Sequence, residues 1–295
     1  MTAKVIVGVD GSDTSLEALR WAAYEARRRH AELRIVSCYT FPGYGGLDGA
    51  VYPNAVDLDT LKEGADAVIN RALRLVESID PTLVVDGVAP MSSPVAGITD
   101  AAERGDEIVI GATGHSGFIT GLLGSVATGV THRAHVPVVV VPAKSSALAG
   151  DSMKKVVVGV DGSPESLHAL GWAYDEAQAS GAELDVIHAW IYPYPVSDSS
   201  PREVRKPMEF DASQELQASL DSLKPRMAGG SVKVRSELYE ESAVDALLEA
   251  GKDADLIVVG SRGRGGLRSR LLGSVSRTTV QHSHCPVAVV RGPET

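Results

Sequence analysis

VIVGVDGSDTSLEALRWA, residues 5–22, recurs as VVVGVDGSPESLHALGWA at residues 156–173, with 13 of 18 positions identical and no gap. Each copy opens with a continuous apolar run that stops at Gly and Asp, the pattern of a strand covered on both faces. The next segment has a different period. Leu16, Leu19, Ala23 and Ala26 fall at steps of three and four with charges between them, which predicts an amphipathic helix. In the second copy Ser163 is the predicted N-cap and Pro164 the first helical residue, where a missing N–H costs nothing. Trp21 and Trp172 occupy matching helical positions and are expected to pack on the sheet.

The similarity extends beyond this stretch. LLGSV occurs at 122–126 and 271–275, each followed by a His-x-Pro-Val element, HVPVVVV at 135–141 and HCPVAVV at 284–290. A period of about 150 residues is too long for a solenoid unit and describes a duplicated domain. PAKSSALAGDSMK, residues 142–154, has no apolar periodicity. It reads as a linker, which places domains at 1–143 and 154–295 joined through 144–153.

Within each half, apolar runs alternate with amphipathic ones. The strands expected after the first are AELRIVSCY, TLVVDGVA, DEIVIGA and the run after His-x-Pro in the first half, matched by AELDVIHAW, SVKVRSEL, ADLIVVGS and VAVV in the second. Between them lie three more helical patterns per half, the last beginning at Ser125 or Ser274. Five strands and four helices in alternation give the α/β class: two tandem Rossmann-like domains, each a doubly wound five-stranded parallel sheet with about four helices. Ligands of such sheets bind beyond the carboxyl ends of the strands, where the strand order reverses. The ends of strands one and four are therefore the places to inspect.

Composition narrows the partners. With 28 basic against 38 acidic residues the net charge is −10, which argues against a nucleic-acid binder that must displace counterions with a basic face. No apolar run approaches the ~20 residues of a membrane span. The chain enters its first strand within a few residues of Met1, leaving no room for a signal peptide, so a cytoplasmic location is expected. Cys38 and Cys285 lie at non-corresponding places and suggest no disulfide.

The end of strand one carries GVDGS, and the end of strand four carries a frame Gly-x2-Gly-x9-Gly-Ser. The frame is Gly111, Gly114, Gly124 and Ser125 in the first half, and Gly260, Gly263, Gly273 and Ser274 in the second. Glycine permits positive φ and lets a ligand approach the backbone without meeting a Cβ. A Gly-Ser at a helix start adds unpaired amides and a positive dipole end. Together these describe a phosphate cradle. In the second half Arg262, Arg264, Arg268 and Arg270 add positive charge, whereas the first half has Thr113 and His115 in place of Arg262 and Arg264 and should attract a triphosphate less. There is neither a G-x4-G-K-[ST] nor a G-x-G-x-x-G, which excludes a P-loop NTPase and a dinucleotide dehydrogenase of the usual kinds. Asp10 and Asp161 have two readings: they cap the following turn, or they face a ligand as acceptor of ribose hydroxyls or holder of Mg²⁺.

The strand-terminal Asp of VGVDGS, the G-x2-G-x9-G-[ST] frame and the His-x-Pro-Val ending resemble the universal stress protein family, in particular its ATP-binding branch in tandem two-domain form. The resemblance covers nearly the whole chain. It implies ATP as cofactor, with Mg²⁺ held through Asp10 or Asp161. It further implies that Val9 and Val160 line a base pocket, that main chain at Cys38 and Ala189 faces adenine, and that the frame glycines wrap ribose and phosphates. Packing of the halves through their last strands, a homodimer of tandem chains and protein partners are implied as well.

Catalytic signatures are missing from the sequence. His132, His135, His282 and His284 cluster at the end of the last helix, where imidazolium suits the dipole. There is no H-E-x-x-H, C-x-x-C or G-x-S-x-G. Cys38 is either a redox-sensitive thiol or a small core residue. The expected function is a non-catalytic or weakly ATP-hydrolysing regulator. Its rivals are an adenine-nucleotide α-hydrolase-like enzyme and an interaction module with vestigial sites. The unmatched loops 41–58 and 191–210 are either lids or variable surface.

Overall fold

The computed structural model describes residues 3–40, 57–114, 123–143, 152–192, 205–264 and 272–292. The chain divides into two compact units, Met1–Ala143 and Lys144–Thr295. Arg268, Arg270, His115, most of the 142–154 segment and most of loops 41–58 and 191–210 lie outside the described residues.

In the first unit β1 (Lys4–Gly8), α1 (Asp13–Arg29), β2 (Glu32–Val36), α2 (Leu58–Ile79), β3 (Val85–Val88), α3 (Pro94–Asp100), β4 (Glu107–Gly111), α4 (Ser125–Arg133) and β5 (Val138–Val141) follow in order. The second repeats the series as β6 (Lys155–Gly159), α5 (Pro164–Ser180), β7 (Glu183–Ala189), α6 (Lys206–Met227), β8 (Val234–Tyr239), α7 (Ala243–Ala250), β9 (Leu256–Gly260), α8 (Ser274–His282) and β10 (Val287–Val290). A 3-10 turn, Gly251–Asp253, follows α7.

Each unit has a parallel sheet, ordered β3-β2-β1-β4-β5 in the first and β8-β7-β6-β9-β10 in the second. Order reverses between β1 and β4, and between β6 and β9. The strands beside the reversal are buried on both faces: Val5, Ile6 and Val7 on β1, and Leu256, Ile257 and Val258 on β9, are at most 1 % exposed. That is why their sequences read as unbroken apolar runs rather than alternations. Edge strands β3 and β8 have no fully buried residue, and β8, with Arg235, Ser236 and Glu237 exposed, is accordingly polar.

The helices form where capping and periodicity coincide. Ser12 caps α1 and Ser163 caps α5 by accepting from the amides of Ser15 and Ser166. α2, α3 and α7 are capped by Asp57, Ser93 and Ser242. α1 ends at His30 in a left-handed conformation, φ 52°, where α5 uses Gly181.

Two expectations about α1 and α5 need correction. Trp21 is buried, but Trp172 is only half-buried, and the large buried side chain of α5 is Tyr174. The faces are also not cleanly divided into apolar and charged. Glu25 is fully buried on α1, where its carboxylate accepts from Arg28 and Arg29, and Arg29 reaches on to Glu107 at 3.2 Å. A carboxylate can sit there only because two guanidinium groups from the next helical turn meet it.

Candidate functional site

At the strand-order reversal of the second unit a cavity of about 520 Å³ opens between the carboxyl ends of β6 and β9. Val160, Asp161, Ala189, Gly260, Arg262, Gly263, Arg264, Gly273 and Ser274, nine of the residues expected in this half, line it; Arg268 and Arg270 lie outside the described residues. The volume is that of a small-molecule site.

One end of the cavity is a cup formed by the turn after β6. Gly162 takes φ +75°, a left-handed conformation that only glycine adopts cheaply, and swings the chain back toward the Asp161 side chain. Asp161 Oδ1 then accepts from the Ser163 amide at 3.0 Å and from the Ser163 hydroxyl at 2.6 Å. Ser166 Oγ donates to the Ser163 carbonyl at 2.9 Å and lies 3.3 Å from the Asp161 amide. Asp10, Ser12 and Ser15 reproduce this arrangement in the first unit with nearly identical distances. The turn-capping reading of both aspartates is therefore correct.

Capping does not exhaust Asp161. Its Oδ2 accepts from the Arg264 amide at 3.1 Å, tying the β6 end to the loop after β9. Burial pushes the carboxyl up, but hydrogen bonds from Ser163 and the Arg264 amide outweigh it and hold the group below the usual carboxylate range. Asp161 is thus an anion with three donors, and among the described residues one acceptor direction is left on Oδ2. A ribose hydroxyl or a cation could use that direction. Among the described residues no cluster of three or more His, Cys, Asp or Glu could hold a metal.

Four of the frame glycines, Gly111, Gly114, Gly260 and Gly263, act by close approach. The described positive-φ glycines do not include any of them. A Cβ on Gly263 would collide with Asp161 Oδ2, and one on Gly114 would stand 2.8 Å from Asp10 Oδ2. Gly260 and Gly111 let their strands meet the backbone of α5 and α1, at Glu165 and Thr14. Gly273 and Gly124 differ from expectation: their amides are not open to a ligand but bond the carbonyls of Ser261 and Ala112, both at 2.8 Å, closing the loop on itself. The open amides lie one step further on. α4 and α8 begin on Gly124 and Gly273, which provide no capping side chain. The first-turn amides of Ser274, Val275 and Ser276 therefore have no partner among the described residues, and all three residues line the cavity.

The opposite end is apolar. Val160, Ile187, Leu247 and Val259 are each at most 5 % exposed and face the cavity beside Ala189 and Ala243. Sequence reading missed Ser166, Ile187, Ala243, Leu247 and Ser276. Ser166 had a legible signal, since Ser15 matches it in the repeat. Ser276, whose hydroxyl donates to the Gly260 carbonyl at 2.6 Å, had none.

Positive charge at the mouth is tethered. Arg262 lies 3.7 Å from Glu165, and Arg264 Nη1 donates to Glu215 Oε1 at 2.7 Å. In the first unit Thr113 and Thr14 replace Arg262 and Glu165, and their hydroxyls meet at 3.3 Å. There Val9 is buried at the end of β1 and Asp10 is exposed. Burial pushes the half-buried Cys38 thiol up to about 11. Its Sγ packs on Gly97 of α3, the setting of a small hydrophobe. Ser125 starts α4 as Ser274 starts α8. His282 Nδ1 lies 2.9 Å from the Thr278 carbonyl in its own helix, away from the cavity lining.

The Universal stress protein family model matches residues 1–142 and again 153–291. A universal stress protein of Mycobacterium tuberculosis strain H37Rv is 33% identical over 295 residues, covering 97% of this chain and 96% of its own. One from Mycolicibacterium smegmatis is 34% identical over the same shares. Among solved structures, a universal stress protein from Archaeoglobus fulgidus superposes with a TM-score of 0.65 at 22% identity, covering 98% of both chains.

Proposed function

Because this chain belongs to the universal stress protein family, we propose that its second half binds ATP in the cavity between β6 and β9 and that the protein works as a non-catalytic or weakly hydrolysing nucleotide-dependent regulator. The observation that carries this reading is the polarity of the cavity. Val160, Ile187 and Leu247 offer an apolar slot for a base at one end, while the uncapped first turn of α8 offers amides to an anion at the other. Asp161, between them, would accept from ribose hydroxyls or hold Mg²⁺ through the direction on Oδ2 that no described residue uses.

The first half has the same cup and the same uncapped helix start, with Gly111, Gly114, Gly124 and Ser125 in place. It lacks the two arginines, so ATP should bind there more weakly. Bound nucleotide would bias a surface that partner proteins read. Association of two chains belongs to the same reading, with no nucleic acid involved. Among the described residues no helix is long and apolar enough to cross a membrane.

The test is to denature the purified protein, assay the supernatant for adenine nucleotide, and titrate the emptied chain with ATP in a calorimeter. Retained or rebound ATP supports the reading. A chain that carries none and takes up none overturns it.

A further inference from the structure

His188 is buried near the end of β7, where the first half has Ser37 at the aligned position. Its Nδ1 lies 2.7 Å from the Val160 carbonyl. A carbonyl only accepts, so Nδ1 carries a proton and donates. The other nitrogen, Nε2, faces Glu215 Oε2 on α6 at 3.4 Å, and since a carboxylate oxygen only accepts, the ring holds it as an imidazolium with Nε2 protonated as well. Glu215 extends its second oxygen to Arg264, whose main-chain amide ends on Asp161 and whose Nη2 lies over Gly162, 2.7 Å from where a Cβ would stand. A continuous line of contacts thus runs from the end of β6 through an imidazole, a carboxylate and a guanidinium back to the turn after β6.

The physical effect is to remove freedom before a ligand arrives. The Arg264 side chain is 53% exposed and Glu215 34%, and two long surface side chains at these exposures would ordinarily sample many rotamers. The His188 ring cannot: it is 6 % exposed and pinned at Nδ1. A rigid ring that fixes Glu215 fixes the guanidinium in turn, and a pre-placed cation loses less entropy on meeting a phosphate.

We propose that His188 is a positioning residue of the second nucleotide site, acting through Glu215 to hold the Arg264 guanidinium at the cavity mouth and so favouring phosphate-bearing ligands in that half. The inference rests on the nucleotide reading of the cavity. It concerns how one cation is placed there.

Calorimetric titration of the full-length chain with ATP and with adenosine tests it. His188→Ser, which installs the first half's residue, should weaken ATP about fivefold and leave adenosine unchanged, and Glu215→Ala should do the same. In an Arg264→Ala background neither change should weaken ATP further, because coupled residues are not additive. An equal loss of adenosine affinity, a loss that persists without Arg264, or tighter ATP binding in His188→Ser would overturn the proposal; the last would make Glu215 a competitor for the arginine. The nitrogen-15 NMR signal of the Arg264 guanidinium gives a readout without nucleotide. It should be sharp in the wild type and exchange-averaged in His188→Ser, and a signal unaffected by the change sinks the relay. A wild-type chain that binds no ATP overturns the nucleotide reading, while the arginine signal still decides whether His188 holds Arg264.

Discussion

The main-chain amide of Arg264 donates to Asp161 Oδ2 across 3.1 Å, joining residues 103 apart in sequence. Through this bond the end of β6 and the loop after β9 form one wall of the cavity, and Gly263 is the residue that lets them approach so closely.

Gly263→Ala should therefore act on the site directly. The added methyl displaces the Asp161 carboxylate, and with it the Arg264 amide. ATP affinity should fall by about tenfold or more, roughly 1.4 kcal/mol, with the folded content by circular dichroism unchanged. Affinity within twofold of wild type would show that Asp161 and Gly263 need not be in contact.

Asp161 should leave a signature in acid stability. Its folded carboxyl titrates below the value of about 3.9 that an unfolded aspartate has, because the Ser163 and Arg264 donors outweigh burial. The contribution is then complete above about pH 4 and is lost as pH falls through the folded value. In urea unfolding, the stability gap between wild type and Asp161→Asn should stay constant from pH 7 to 5 and narrow below about pH 4. A gap that widens on acidification would reverse the assigned direction.

Gly273→Ser separates stability from binding. Gly273 has φ −62° and ψ 156°, which any residue adopts, and a Cβ there would meet nothing closer than 3.4 Å. A serine hydroxyl would cap α8 and stabilise it by a few tenths of a kcal/mol, while occupying an amide of the proposed phosphate site. A higher melting temperature together with weaker ATP binding is expected. Equal or better ATP binding would show that the first turn of α8 is not the anion site.

Both thiols should be slow toward alkylating reagents. Burial pushes Cys38 and Cys285 up to about 11, in Cys285 against a partly offsetting hydrogen bond with Ser283, so little thiolate exists at pH 7. Iodoacetamide labelling read by mass spectrometry should be negligible in the native chain and complete in urea. Rapid native labelling of Cys38 would restore the redox reading.

The strands, the helices, the duplication and the second-half glycine frame could be read from the chain, because each depends on local rules. Apolar runs end where a strand must, Ser163 and Pro164 start a helix by their own chemistry, and a residue that must have no Cβ can be nothing but glycine. Which amides stay open is not local. Gly273 looked like a phosphate ligand, yet its N–H is taken by Ser261, and the open donors are those of the helical turn after it. His188 and Glu215 had no motif at all, since a buried ring on β7 and a carboxylate on α6 gain meaning only when folding brings them to Arg264. Sequence determined where a binding site could be built, through periodicity and backbone permissiveness. Tertiary structure decided which groups face it, because hydrogen bonds and ion pairs fall off within a few ångströms and only the packed chain sets those distances.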